Sequence, residues 1–229
     1  MYAKGFKRII DLVLSLLGLI VLSPVILVLT IVGAIKMKGN PFFLQPRPGK
    51  DEQIFRLIKF RTMTNEKDEN GKLLPDEKRL IPYGAFLRST SLDELPELIN
   101  IFIGDMAIVG PRPQLVRDML FMSEEHRKRH TVRPGLTGLA QVKGRNAITW
   151  EEKLNWDLKY IEKISFAGDL RILLETVAAV FHRDGITDGE NATALDYGDE
   201  LLKDDKVSKE RYDALQAQAR ELLRRFEEG

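Results

Sequence analysis

From Ile9 to Ile35 the chain is almost entirely apolar, with Asp11 near the start and Ser15, Ser23 and Thr30 inside the run. That is long enough to cross a bilayer as a straight helix. It far exceeds the core of a cleaved signal peptide, about 7–15 residues. Ser23-Pro24 falls near the middle. Proline removes a backbone donor and bends a helix, and the neighbouring serine can serve a group that it frees. Basic residues flank both ends: Lys4, Lys7 and Arg8 before, Lys36 and Lys38 after. The positive-inside rule draws both flanks toward the cytoplasm. If the helix breaks at Ser23 and Pro24, each half has about 13 residues, roughly 20 Å, too short to span. The pattern predicts a membrane-inserted helix over residues 1–38 and leaves re-entrant and spanning paths both open.

Beyond it the period changes. Pro41–Gln45 and Gln53–Phe60 read as two strands, with Pro48-Gly49-Lys50-Asp51 supplying turn residues between them. Asn65–Lys78 is polar and reads as an exposed loop. Tyr83–Arg88 reads as a short helix, and Leu92–Ile103 as an amphipathic one. Gly104–Pro113 and Arg133–Gly138 read as irregular loops rich in proline and glycine, with a continuous helix predicted over Leu115–Lys128 between them. Thr149 with Glu152 is a capping box that opens a helix to about Lys163, and Asp169–His182 reads as another. These elements delimit one domain over 39–186. Residues 187–229 form a charged tail, in which Ser208 caps a helix over Lys209–Phe226 with a narrow apolar stripe.

Composition narrows the chemistry. A formal net charge of +1 gives no polyanion-binding signal, so nucleic acid is not an expected partner. The absence of cysteine removes disulfides, thiolate metal sites and a cysteine nucleophile. Of the three histidines, His126 and His130 read as a solvated helix end. Any metal is therefore expected to be a hard cation on carboxylates, Mg²⁺ first.

The stretch Ser89-Thr90-Ser91-Leu92-Asp93-Glu94-Leu95-Pro96 carries the candidate chemistry. Ser91 and Glu94 fit a capping box, which would account for Glu94 but not Asp93. Pro96 requires the first turn either to be distorted or to start later. The acidic pair has a second use: one carboxylate attacks phosphorus or carbon while the other holds a divalent cation. Bases surround it in sequence. Lys59 and Arg61 share one face of a strand. Arg112, between Pro111 and Pro113, sits on a stiff loop of the kind bidentate phosphate recognition uses. The segment Gln141–Ala147 adds Lys143 and Arg145.

Taken together, the N-terminal run with Ser23-Pro24, QPRPG (45–49), KFRTM (59–63), RSTSLDELPEL (88–98), GDMAIVGPRP (104–113), RPGLTG (133–138) and GRNAITW (144–150) resemble the bacterial sugar transferase family. These are small monotopic phosphoglycosyl transferases that act on polyprenol phosphate. The resemblance covers roughly residues 1–183 and is nearest to the enzymes that initiate bacterial N-glycosylation with a bacillosamine-type sugar. It implies an α/β fold with a re-entrant helix, interfacial amphipathic helices and a short sheet on the cytoplasmic face of the bacterial inner membrane. It implies transfer of a sugar 1-phosphate from a UDP-sugar to polyprenol (undecaprenyl) phosphate, with release of UMP. In that scheme Asp93 is the nucleophile and Glu94 binds Mg²⁺. Arg88, Arg112 and Lys59 contact phosphate, and Arg145 and Asn146 line the nucleotide-sugar pocket. Leu139, where many relatives carry tryptophan, and Lys143 depart from the family pattern and bear on which sugar is taken.

The tail lies outside the resemblance, so a chain ending at Ile186 is expected to keep its transferase chemistry. Two other functions fit parts of the sequence. A membrane-bound nucleotide-sugar or lipid diphosphate hydrolase would use the same acids and bases with water as acceptor. A membrane scaffold would use only the amphipathic helices.

Overall fold

The computed structural model of the chain describes residues 2–144, 148–182 and 195–228. Most of it is helical. After a single π turn (Tyr2–Phe6), α1 (Lys7–Lys36) takes in the whole apolar stretch. Its 30 residues make a rod of about 45 Å. The helix continues through Pro24 as one element, where Ser23-Pro24 had left a break open. The reason is local. Pro24 cannot donate to the Ile20 carbonyl, and the Ser23 hydroxyl donates there instead, at 2.7 Å.

One face of α1 is fastened to the rest of the protein from end to end. Arg8 donates to the Ile101 and Phe102 carbonyls at the end of a later helix. The buried Asp11 carboxylate accepts from the Ile108 N–H at 3.0 Å. Gly18 lies against Leu98, and Gly33 against Pro41 and Tyr83. The Tyr83 hydroxyl donates to the Leu29 carbonyl, and Leu29 packs with Phe60 and Leu87. The opposite face leaves Leu17, Val21 and Val28 exposed.

The chain then forms an antiparallel pair, β1 (Phe42–Pro48) and β2 (Ile54–Phe60), in register Phe42 to Phe60 and Phe43 to Lys59. The two facing phenylalanines stack at 5.4 Å. After the exposed loop and the short α2 (Asp76–Arg79), α3 (Pro82–Thr90) leads to the acidic stretch. There the predicted helix over Leu92–Ile103 is corrected. Leu92–Glu94 is a separate 3₁₀ turn, and α4 (Glu97–Ile103) starts only after Pro96. The missing proline donor is thereby placed at the helix entrance, where no partner is required.

The two segments read as irregular loops contain β3 (Ala107–Val109) and β4 (Gly135–Thr137), which pair in parallel, Ala107 with Gly135 and Val109 with Thr137. A Cβ on Gly135 would stand 2.1 Å from the Gly110 nitrogen. The glycines here admit close backbone pairing. Among the described residues there are thus two two-stranded sheets, where one short sheet was expected.

The helix predicted over Leu115–Lys128 is also corrected. Met122 is extended, and Ser123 caps a new start by accepting from the His126 N–H, so the segment splits into α5 (Val116–Phe121) and α6 (Glu124–Arg127). After β4 come α7 (Leu139–Gly144), α8 (Trp150–Glu162) and α9 (Phe166–His182). The capping box of Thr149 and Glu152 is formed as predicted. Phe166, Leu170, Leu174 and Val177 leave one side of α9 apolar and exposed, as Phe102 and Ile103 do on α4. In the tail, α10 (Tyr197–Lys203) and α11 (Lys209–Glu228) fold back on the body. Leu215 and Ala219 are buried in one cluster with Val116, Met119 and Leu120 of α5.

Candidate active site

The sharp turn between α3 and α4 presents the acidic pair. Ser91 closes α3 in the left-handed region (φ 55°) and makes no side-chain cap bond. The capping-box reading of Glu94 is therefore replaced. Its carboxylate faces across to β2, where Lys59 Nζ meets Oε1 at 2.8 Å, and to the loop after β3, where Arg112 binds the same oxygen. Burial alone would raise the Glu94 pKa, but the charges of Arg112 and Lys59 outweigh it and hold the group well below the usual carboxylate range. Glu94 in turn holds Arg112 more firmly protonated, against the effect of burial.

Asp93 stands beside this cluster. Burial raises its pKa, Lys59, Arg112 and Arg88 oppose the rise, and Glu94 adds to it. Arg88 approaches from the last turn of α3, its Nε donating to Thr62 Oγ1 at 3.1 Å. Gly84, one turn earlier on the same face, lets α3 lie flat on Thr62; a Cβ there would come 1.8 Å from the Thr62 carbonyl oxygen. The structure thus brings Lys59, Arg88, Asp93, Glu94 and Arg112 to one place. Arg145 and Asn146 lie outside the described residues.

Several members of the cluster were missed. Glu97, 2% exposed, places Oε1 3.1 Å from Lys59 Nζ, and its pKa is pushed up to about 7 by burial, with Lys59 opposing. The repeated acid in DELPE was its only sequence signal. The buried Asn100 side chain joins α4 to β2, donating to the Arg56 carbonyl and accepting from the Ile58 N–H next to Lys59. Arg47 donates to the Pro113 carbonyl at 3.1 Å, so one Pro-Arg-Pro segment braces the other. Arg129 donates to the Arg112 carbonyl at 2.6 Å while paired with Asp157 at 2.7 Å, both side chains fully buried. Losing one partner of such a pair costs about 3–5 kcal/mol. His130, expected to be solvated, is buried beside Arg129, and burial pushes its pKa down to about 3.

A hard cation can be tested against these donors. Among the described residues no group of three or more acidic, histidine or cysteine side chains is gathered for a metal. The donors present are carboxylate oxygens, two of them on adjacent residues. Such a set fits Mg²⁺ held by one or two carboxylates, with water and substrate phosphate supplying the rest.

The chain has relatives among known proteins. Residues 2–183 match the family described as bacterial sugar transferase. The uncharacterised sugar transferase EpsL of Bacillus subtilis is 45% identical over 188 residues, which cover 82% of this chain and 93% of that protein. The UDP-glucose:undecaprenyl-phosphate glucose-1-phosphate transferase of Klebsiella pneumoniae is 39% identical over 186 residues, 75% of this chain but 39% of that protein. The galactosyl transferase CpsE of Streptococcus agalactiae is 34% identical over 76% of this chain and 42% of its own length. The chain therefore spans less than half the length of some relatives and nearly the whole of another. With 182 of its residues matched to the family and this identity to EpsL, the chain belongs to the bacterial sugar transferases and is an enzyme of that family.

Proposed function

We propose that the protein transfers a sugar 1-phosphate from a UDP-sugar to polyprenol (undecaprenyl) phosphate, releasing UMP, by way of an aspartyl phospho-sugar intermediate. The observation that carries this reading is the placement of Lys59 and Arg112 on Glu94, with Asp93 next to it and bound by neither. A carboxylate oxygen of Asp93 attacks the sugar-bearing phosphorus. The bond from that phosphorus to the bridging oxygen breaks, and UMP leaves with the electron pair. An oxygen of the lipid phosphate then attacks the same phosphorus, and the Asp93 carboxylate leaves. Arg88, Arg112 and Lys59 bind and neutralise the phosphates, which is most of what such a transfer requires. Glu94 would hold Mg²⁺, which when bound supplies further neutralisation of the donor's pyrophosphate. An N-acetylated or diacetamido donor, of the kind used to start protein glycosylation, follows from the resemblance of the motifs.

The acceptor is a lipid, and the same reading places α1 in the inner membrane with both ends on the cytoplasmic side. Its attachment to the body from Arg8 to Gly33, about 38 Å of helix, supports a helix that does not leave the body behind to cross the bilayer. Cysteines placed singly at Lys4 and Lys38 of this cysteine-free chain should both resist an impermeant thiol reagent added from outside. Labelling of the Lys4 site alone would establish a spanning helix.

The chemistry is tested with UDP-sugar labelled in the sugar, enzyme and Mg²⁺, without lipid. The expected result is UMP release and about one label per site on the peptide holding Asp93, absent in Asp93→Asn. A competent enzyme that carries no label and releases no UMP until lipid is added would rule out the two-step route. Free sugar phosphate formed at the same rate with and without lipid would make it a hydrolase.

A further inference from the structure

The tail lies beyond the family match, yet it meets the body at α5, which follows the Arg112 loop, and at the start of α8. Asp118 of α5 is 1% exposed. One of its oxygens accepts from the Leu115 N–H, three residues after Arg112; the other accepts from the Tyr197 N–H of the tail at 3.0 Å. Asp196 pairs with Arg117 on the same helix. The Trp150 indole, at the first turn of α8, donates to the Leu195 carbonyl at 3.0 Å, and its ring lies 5.3 Å from that of Tyr197. Gly198 is pressed on Phe121 so closely that a Cβ would come within 2.5 Å of the ring. Behind this, Leu215 and Ala219 of α11 bury α5 from its far side.

We propose that the segment from Leu195 to Glu228 is a clasp that joins the Arg112 loop to the start of α8 and thereby sets the sugar-nucleotide site, so that Tyr197 and Gly198 are positioning residues for donor binding. The proposal rests on the transferase reading above. It reverses the expectation that the chain can end at Ile186 without loss. Two features favour positioning over plain stabilisation. The contacts converge on Leu195–Gly198, which reaches both elements at once. Lys153 of α8, whose pKa is lowered by burial, feels Glu200 of the tail and Arg112 together, which places all three charges within electrostatic reach.

Tyr197 offers a clean test because it is the first residue of α10 and Asp196 before it is extended (φ −69°, ψ 157°). Proline is tolerated at that position and after such a residue. In the full-length protein, Tyr197→Pro removes the N–H held by Asp118 together with the ring on Trp150. Tyr197→Ala removes only the ring. KM is measured separately for UDP-sugar and for polyprenol phosphate. We expect Tyr197→Pro to raise KM for UDP-sugar about tenfold, Tyr197→Ala about threefold, and neither to move KM for the lipid. A tail that only stabilised the fold would lower the active fraction and so kcat, leaving both KM values alone; that result overturns the proposal. The double variant Leu215→Asp with Ala219→Asp, which undocks α11, should give the same split, and equal rises in both KM values would count against it. Uridine diphosphate binding, titrated directly on wild type and Tyr197→Pro, reads the clasp even if no transfer is detected. Equal affinity would overturn the clasp, whereas absent transfer with weakened binding would overturn only the transferase reading.

Discussion

Two arginines of this chain stand in the same tripeptide, Pro-Arg-Pro, and end in different electrical circumstances. Arg47 lies on β1 and gives its donors to neutral oxygens, the Gln45 side chain and the Pro113 carbonyl. Burial, with the nearby charge of Arg112, lowers its pKa to about 10. Arg112 lies on the loop after β3 and gives its charge to Glu94, which raises its pKa. The prolines stiffen both segments. They do not decide what the guanidinium is for. A carboxylate within reach makes one arginine part of an ionic site, and a carbonyl makes the other a strut beneath it.

The sharpest way to break this comparison is to remove each side chain in turn. Arg112→Ala should lower the transfer rate about 10²–10³-fold, the usual size for one preorganised cation or donor. Arg47→Ala should lower it no more than about tenfold, through a shifted Pro113. Equal losses would mean that both arginines touch substrate. The next largest effect reverses the order. Arg47→Ala should cost about 1–3 kcal/mol of stability, because the Pro113 carbonyl is left without its donor. Arg112→Ala should cost less, since Lys59 still pairs with Glu94. Thermal midpoints in detergent decide this.

Lysine swaps refine the same contrast. Arg112→Lys keeps a charge near Glu94 and should recover a measurable part of the lost rate, though not the fork geometry. Arg47→Lys keeps a charge that never had a carboxylate partner and should recover little stability.

The smallest predicted effect concerns the acid next to this site. The folded-state pKa of Glu97 is raised from 4.5 to about 7. The folded protein therefore holds a proton that the unfolded chain has released, and stability falls as pH rises through this window. Glu97→Gln should remove that part of the slope. Midpoints at about pH 5 and about pH 8 measure it, and an unchanged slope would show that Glu97 stays ionised throughout.

What the sequence disclosed follows from range. The apolar run of α1, the strands on either side of Gly49 and the cap of α8 depend on neighbours a few residues away, and all were legible. So were Asp93, Glu94, Lys59 and Arg112 as candidates, since each sits in a stretch of conspicuous chemistry, while Arg88 came from the family resemblance. That Lys59 and Arg112 meet on one oxygen of Glu94 needed the fold. The roles of Asn100, Asp118 and the Arg129–Asp157 pair were invisible because each depends on a partner 28 to 79 residues away in the chain. β3 and β4 were misread because glycine and proline ordinarily mark turns, whereas here glycine makes room for a second backbone. The same long range hid the tail, whose role was read from where the resemblance stopped.

The attachment of α1 has a bearing on how this enzyme can be rebuilt. An anchor on a linker is a replaceable part: any helix of similar greasiness will serve, and the enzyme can be cut free of it. Here Asp11 completes a strand's hydrogen bonding, Arg8 caps a helix end and Gly33 makes room for Pro41. A substitute helix chosen for hydropathy alone would leave a polar N–H, two carbonyls and an apolar cleft without partners. Grafts between relatives should therefore succeed only when helix and body are inherited as one piece, and a chain shorn of its first 38 residues would be an unfinished fold that no detergent can mend.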